Sequence, residues 1–481
     1  MTIVRKGDNS AGLKGKLLGK TSTRRKENAA QVGLAEAVAG GRNDLLPDLK
    51  LENRPITDLT FYKNRVRLAK PEHVAEISVS LKRFGICRPI LVNSDGRVID
   101  GEVVIAAAQK LGIDEVSVIV VDHLSEAECR ALRLALNRLG ETGEWDLDQL
   151  KIEMSELIEL DIEIPVFSPH EVDIILLDDA GADDAADSLP AADPDAPVVS
   201  RPGDIMVMGR HRALRGDALE PQCYAQLMAG SQAAMIGSDM PYNIKIEGFV
   251  SGLGKTKHKD FAMASGEMSR EEFQEFTATF LKCAKLHLIE GGLAYIFIDH
   301  RGIDIVMAAA REVGLKHETT CVWDKGAGAM GGIYRHACEY VLVFVNGNTP
   351  AINNVRLGKH GRDRSTVWRY PGANRRGSSA SKMLGSHPTP KPVECMVDMI
   401  LDASNRGDVL VDPFLGSGTT IIAAEKAGRA AYGIEIDGAY FDLLVRRWEQ
   451  FTGKQAIHEE TGLTFTELAA KRAAEADEGN D

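Results

Sequence analysis

At 481 residues and 44% hydrophobic content, the chain is long enough for two or more packed domains. No apolar stretch approaches the length of a membrane span, and residues 1–28 lack an apolar signal core, so the expectation is a protein of the cytoplasm, off the membrane and not exported. The net charge of −13 excludes a uniformly basic nucleic-acid binder, yet the charges are segregated: residues 178–197 hold seven aspartates and no base, whereas residues 354–382 hold eight Lys/Arg against one acid, Asp363.

In chain order, residues 1–48 form a polar, basic segment with Arg5, Lys6, Lys14, Lys16, Lys20, Arg24, Arg25 and Lys26. It reads as a disordered, solvated tail, with a weak phosphate-binding arm as the alternative. A first folded unit with a helical extension is expected over 49–178. Its elements are a helix over 74–84, a strand over 89–92, a Ser94-Asp95-Gly96 turn and a returning strand over 97–100. A helix over 103–111 stopped by Gly112, a strand over 116–121 and a helix over 125–139 follow; Ser125 and Glu128 have capping-box spacing. Residues 179–200, rich in Ala, Asp and Pro, read as an extended acidic linker.

From 201 to 454 strands alternate with helices, the pattern of an α/β sheet. Ser269 and Glu272 open a helix expected to reach about Leu288. Strands are predicted over 293–298, 319–323, 340–345, 409–412 and 431–436, and helices to Val313 and over 393–403, 419–427 and 440–452. Residues 455–481 are left as a C-terminal tail. The seven cysteines are scattered without a C-x-x-C pair and read as reduced thiols, and no His/Cys/Asp grouping has metal spacing.

Two loops carry chemistry, and each follows an apolar run, which places both at the carboxyl edge of a sheet. In Asp412-Pro413-Phe414-Leu415-Gly416-Ser417-Gly418-Thr419-Thr420, the glycines let backbone N–H groups face a ligand. Glu435, at the end of the next strand, suits two ribose hydroxyls. A nicotinamide oxidoreductase would read the same way. Asp239-Met240-Pro241-Tyr242-Asn243 separates the readings. Adenine N6 is a poor nucleophile because its lone pair is delocalised into the ring. Asp239 and the carbonyl of Met240 could accept its two N–H groups and localise that pair, while Tyr242 offers a face on which an extruded base stacks. Taken alone, the loop could also be an ordinary Pro-Tyr turn.

Asp239-Met240-Pro241-Tyr242 resembles the Asp-Pro-Pro-Tyr motif of amino-methyltransferases acting on DNA, and residues 412–420 resemble that family's cofactor motif. His387-Pro388-Thr389-Pro390-Lys391-Pro392 resembles the segment that helps enclose S-adenosyl-L-methionine. Catalytic motif first and cofactor motif last is the order of the β group. The resemblance spans 201–453 and implies a Rossmann-like, S-adenosylmethionine-dependent fold that methylates adenine N6 by base flipping. Asp239, Met240, Pro241 and Tyr242 would be catalytic. Asp412, Phe414, Gly416, Gly418, Thr419, Glu435, His387, Thr389 and Lys391 would hold the cofactor, with Lys391 neutralising its methionine carboxylate. Met240 departs from the motif and gives up a proline's fixed φ. Cytosine N4 is the alternative target; aspartate at 239 favours adenine by resemblance.

Residues 51–145 resemble the ParB-like N-terminal domain, a small α+β unit, through residues 88–92, 98–102 and 106–112. Nucleotide-handling members place His and Arg just after the glycine, where this chain has Glu102, Val103 and Val104, so docking or weak DNA binding is expected. A DNA-binding module with an idle methyltransferase fold is the rival reading. Residues 346–386 fall where the β group reads its target, and Arg356, Lys359, Arg362, Arg364, Arg369, Arg375 and Arg376, with Trp368 and Tyr370 interleaved, suit phosphate and guanine contacts. Lys255 and Lys257 join them as DNA-binding candidates; a solvated loop is the plainer reading of both segments. Double-stranded DNA is the implied partner, and a homodimer and a companion restriction endonuclease are left open.

Overall fold

The computed structural model describes residues 47–62, 70–139, 145–160, 162, 164–167, 169–177, 185–190, 197–244, 264, 266–329, 334–355, 362, 364–371 and 391–478. The chain divides into two compact units, residues 1–168 and 169–481. The basic tail lies outside the described residues up to Leu46. No helix among the described residues is long and apolar enough to cross a membrane.

The first unit is a four-stranded sheet of β1 (Lys50–Pro55), β2 (Ile90–Asn93), β3 (Val98–Asp100) and β4 (Glu115–Val121), in the order β1-β4-β2-β3. Its helices are α1 (Pro71–Phe84), α2 (Glu102–Lys110), α3 (Glu126–Leu139) and α4 (Leu147–Glu159). The core gathers Ile90, Val92, Val98, Ile105, Ala108, Val116 and Val118. Asn93 fixes the β2–β3 turn, its Oδ1 accepting from the N–H groups of Asp95 and Arg97 at 3.1 and 2.7 Å. Gly101 has φ +104°, and a Cβ there would lie 2.9 Å from Ile90 Cγ1, so only glycine lets α2 start this close to the sheet. The Ser125–Glu128 capping box forms as its spacing predicts. Glu102 lies 3.3 Å from Arg133, whose guanidinium sits over the Tyr62 ring.

The second unit is built on a mixed ten-stranded sheet. Its strands are β5 (Ile205–Met208), β6 (His211–Arg215), β7 (Ala233–Ser238), β8 (Leu288–Ile298), β9 (Lys316–Ala329), β10 (His336–Val345), β11 (Val367–Arg369), β12 (Val409–Asp412), β13 (Ala430–Glu435) and β14 (Ile457–His458). They run in the order β11-β9-β10-β8-β7-β12-β13-β6-β5-β14. The run β8-β7-β12-β13-β6 is parallel, and its strands are apolar almost throughout because both faces are covered. On one face pack α6 (Pro221–Met228), α7 (Arg270–Lys285) and α8 (Ile303–Glu312). On the other pack α9 (Val393–Ala403), α10 (Thr419–Ala427) and α11 (Gly438–Thr452).

Four expectations are corrected. Helix α7, opened by its Ser269–Glu272 capping box, stops at Lys285 rather than near Leu288, because the chain turns and the His287 carbonyl accepts from Ala233 N–H to lead into β8. The helix α5 (Pro169–Leu177), assigned above to the first domain, belongs to the second unit: Asp173 takes both outer nitrogens of the fully buried Arg429 at 2.8 and 2.7 Å. The acidic linker does not stay extended where it is described. Ala186 is buried and receives a hydrogen bond from Arg447, Asp187 accepts from the N–H of Val393, and Val199 N–H donates to Asp442. Finally, 455–481 is not a tail. Strand β14 pairs with β5, and α12 (Phe465–Glu478) sinks Phe465 and Leu468 into the core while Arg472 clasps Asp204.

Candidate active site

Strands β7 and β12 are parallel neighbours, so the loops that leave their carboxyl ends emerge side by side. The first begins at Asp239 and the second at Asp412, and each carboxylate lies within the other's field. Strand β13, on the far side of β12, delivers Glu435 to the same edge. Strand β10 runs antiparallel to β8, with Tyr340 opposite Ile298, so its first residues reach that edge from the other direction. They bring Glu339, a residue the sequence reading missed.

The loop after β7 is braced at both ends. Met240 is buried in the core. Asn243 takes φ +55°, a left-handed conformation asparagine tolerates, and its side chain accepts from Gly266 N–H at 2.9 Å and donates to the Met268 carbonyl at 2.8 Å. Between these anchors, Asp239 Oδ1 accepts from the Tyr242 hydroxyl at 2.9 Å, and Oδ2 lies 2.8 Å from Lys391 Nζ. Glu339 Oε2 lies 3.1 Å from both the Tyr242 hydroxyl and Lys391 Nζ, while Oε1 pairs with Lys325. The Lys391 ammonium is also 5.4–5.5 Å from the ring centres of Tyr242, Phe297 and Trp323, close enough for cation–π attraction. Burial opposes the charge on Glu339, but Lys391 and Lys325 overcome it and hold its carboxyl down at about 2. Burial likewise opposes the charge on Lys391, and Asp239 and Glu339 more than offset it, pushing its pKa above the ordinary lysine range.

The expected role of Lys391 is therefore revised. An ammonium has three donors, and here they meet Asp239, Glu339 and the Tyr242 hydroxyl at 2.8, 3.1 and 3.2 Å, leaving none over for a cofactor carboxylate.

The second loop is organised by neutral donors. Asp412 accepts from the Thr420 hydroxyl at 2.5 Å and from Phe414 N–H at 3.0 Å. Glu435 accepts from the N–H groups of Gly416 and Asp437, both at 2.8 Å. Among the described residues no cation sits on either carboxylate, and burial, reinforced by neighbouring acids, pushes Asp412 up to about 8 and Glu435 up to about 7. Gly418 has φ +80°, and a Cβ there would lie 2.8 Å from Leu444 Cβ, so this glycine serves the seating of α10 against α11. Phe414 packs edge-on to Phe280, at 5.1 Å between ring centres, on α7. Thr419 is expected to hold the cofactor, and Thr420 has no expected part. The Thr419 hydroxyl accepts from Arg447 at 3.2 Å, and it is Thr420 that donates to Asp412.

The basic candidates divide. Arg369, at the end of β11, is exposed. Arg362 and Arg364 are not surface cations: both are largely buried and paired with Asp398 and Asp402 of α9, with Arg362 at 2.9 Å and Arg364 at 2.7 Å from Asp402, and they fasten the segment before β11 to the core. Lys255, Lys257, Arg356, Lys359, Arg375, Arg376, His387 and Thr389 lie outside the described residues. Among the described residues, no group of three or more His, Cys, Asp or Glu could hold a metal.

Residues 233–446 match the family described as DNA methylase, and residues 47–137 match the ParB N-terminal domain. Among curated relatives, the Type II methyltransferase M2.DpnII of Streptococcus pneumoniae is 28% identical over 45% of this chain and 82% of its own. The Type II methyltransferase M.HpaI of Haemophilus parainfluenzae is 26% identical over 47% of this chain and 71% of its own. The DNA adenine methyltransferase YhdJ of Escherichia coli is 30% identical over 35% of this chain and 54% of its own.

Proposed function

We propose that this chain, which joins a ParB N-terminal domain to a DNA methylase domain, transfers a methyl group from S-adenosyl-L-methionine to the exocyclic N6 of adenine in double-stranded DNA. The observation that carries the reading is the emergence of Asp239 and Asp412 from adjacent parallel strands, which sets an amine-orienting loop beside a nucleotide-holding one. The cofactor, when bound, supplies a methyl group on a cationic sulfonium. The residues present fit it: Glu435 is buried with acceptor oxygens for two hydroxyls, and a cation placed beside Asp412 and Glu435 would favour the ionised forms that burial now opposes.

The chain's own groups then do the rest. Asp239 accepts one N–H of the amine and the Met240 carbonyl accepts the other, which localises the nitrogen lone pair. Once alkylated, the nitrogen is positive until it loses a proton, and a carboxylate held against it stabilises that charge. The Asp239 oxygens each retain a second lone pair beyond those used by Tyr242 and Lys391. The base leaves the duplex at a cost of a few kcal/mol, and stacking on Tyr242 returns about 1–3 kcal/mol of that. Arg369 would contact the DNA, together with Arg356, Lys359, Arg375, Arg376, Lys255 and Lys257. The ParB N-terminal domain docks on or weakly binds the same DNA. A homodimer and a companion restriction endonuclease are compatible with this activity, and a DNA substrate puts it in the cytoplasm. Aspartate at 239 and an adenine methyltransferase among the relatives support N6 over cytosine N4.

Labelled S-adenosylmethionine incubated with mixed-sequence duplex DNA, followed by digestion to nucleosides, tests the assignment. Label in N6-methyladenine is expected. Label in N4-methylcytosine would overturn the base, and cofactor binding without any transfer to DNA would overturn the activity.

A further inference from the structure

We propose that Glu339 is a positioning residue for this transfer, acting through Lys391 to keep Asp239 available to the base amine; the inference rests on the methyl-transfer reading above. Asp239 can orient an amine only while its carboxylate still has pull on a new donor. A buried ammonium resting on it alone would use up that pull, because opposite charges attract strongly where water is excluded. Lys391 is instead shared, with Asp239 Oδ2 at 2.8 Å and Glu339 Oε2 at 3.1 Å. Glu339 is kept in place by Lys325 of the neighbouring strand β9, so two carboxylates face two ammonium groups in a box walled by Phe297, Trp323 and Tyr242.

Strand integrity does not call for a glutamate here. Strand β10 is paired on both sides through its main chain, and its following residues, Val341 to Val345, are apolar and buried. A buried acid at the first core position of such a strand costs desolvation that an apolar residue would avoid. Its use is the one its contacts define: it takes part of the Lys391 charge and the Tyr242 hydroxyl, the two groups that otherwise fall on Asp239 alone.

The test uses the full chain with Glu339→Gln, which keeps the shape and the hydrogen-bonding capacity, Lys391→Met, and the double variant. Methyl transfer to duplex DNA gives kcat, and titration calorimetry with S-adenosylmethionine gives the cofactor Kd. The expectation for E339Q is a fall in kcat of roughly 30-fold or more with Kd changed less than about 3-fold. The double variant is expected to be no slower than K391M, because Glu339 acts through the lysine. Losses that multiply, equal losses in kcat and Kd, or an E339Q enzyme within about 3-fold of the parent would each overturn the proposal. Absence of transfer by the parent chain would instead remove the methyl-transfer reading. The Lys391 ammonium signal in lysine side-chain NMR, recorded without DNA or cofactor, then still tests the cage. Persistence to higher pH in the parent than in E339Q supports the shared charge, and identical titration refutes it.

Discussion

The two halves of the site hold their acids in opposite ways. Around Asp239 and Glu339 the donors are ammonium groups and the Tyr242 hydroxyl, and the ammonium charges drive Glu339 down to about 2 against its burial. Around Asp412 and Glu435 the donors are backbone N–H groups and one hydroxyl, and burial lifts both carboxyls to about 8 and about 7. Glu339 thus stays charged across the neutral range, whereas Asp412 and Glu435 can change charge within it. The difference suits the tasks proposed for them. A group that orients an amine must keep one protonation state, whereas a holder of neutral hydroxyls can bind and release as its proton count changes.

The largest expected effect separates the halves. Asp239→Ala should lower kcat by about 10³ or more while cofactor Kd shifts less than about 3-fold, since only the charge-stabilising group is lost; parallel single-turnover and calorimetric measurements check it. Glu435→Ala should do the reverse, weakening cofactor binding by roughly 10–100-fold, the worth of one or two charge-assisted hydrogen bonds, with much less change in kcat at saturation. The smallest effect is the pH dependence. Because burial raises Glu435, lowering the pH through about 7 protonates it, which removes its charge and leaves it a weaker, partly donating partner for two hydroxyls. Asp437 and Ile436 flank it, Gly416 N–H faces it, and the nearby Asp412 titrates at about 8. Cofactor affinity should therefore climb roughly 10-fold from pH 6 to pH 8, following the ionised fraction of a group titrating near 7. Glu435→Gln should flatten that slope, and an unchanged slope would place the titration elsewhere.

Local signals were legible where local chemistry sets them. The helix α9, the strand β12 and the helix α10 fall on the residues their periodicity indicates, and the capping boxes at Ser125 and Ser269 both form. Asp239, Asp412 and Glu435 meet because strand-end loops converge at one edge of a parallel sheet. What stayed hidden depends on partners distant in the chain. A run of arginines reads as a surface patch until Asp398 and Asp402, a helix away, are seen to absorb Arg362 and Arg364. Glu339 looks like the polar rim of an apolar strand; only the antiparallel placement of β10 brings it to Lys391 and the Tyr242 hydroxyl. A charged residue abutting an apolar strand was the signal available for it. The C-terminal helix carries few large apolar residues, so the burial of Phe465 and Leu468 was not visible in its composition.

The Asp173–Arg429 pair bears on where the methylase portion can be severed from what precedes it. The family match begins at Ala233, and the alternation of strands and helices begins at Arg201, which makes the acidic stretch before it an inviting place to cut. A fragment begun there would strand the Arg429 guanidinium, none of which is exposed, without its counter-charge. Orphaning a buried charge in this way costs about 3–5 kcal/mol, a sizeable share of what usually keeps a domain folded. A fragment begun upstream of Pro169 keeps the pair, and the gap between the melting temperatures of the two fragments would measure how far the autonomous catalytic piece reaches beyond its recognisable motifs.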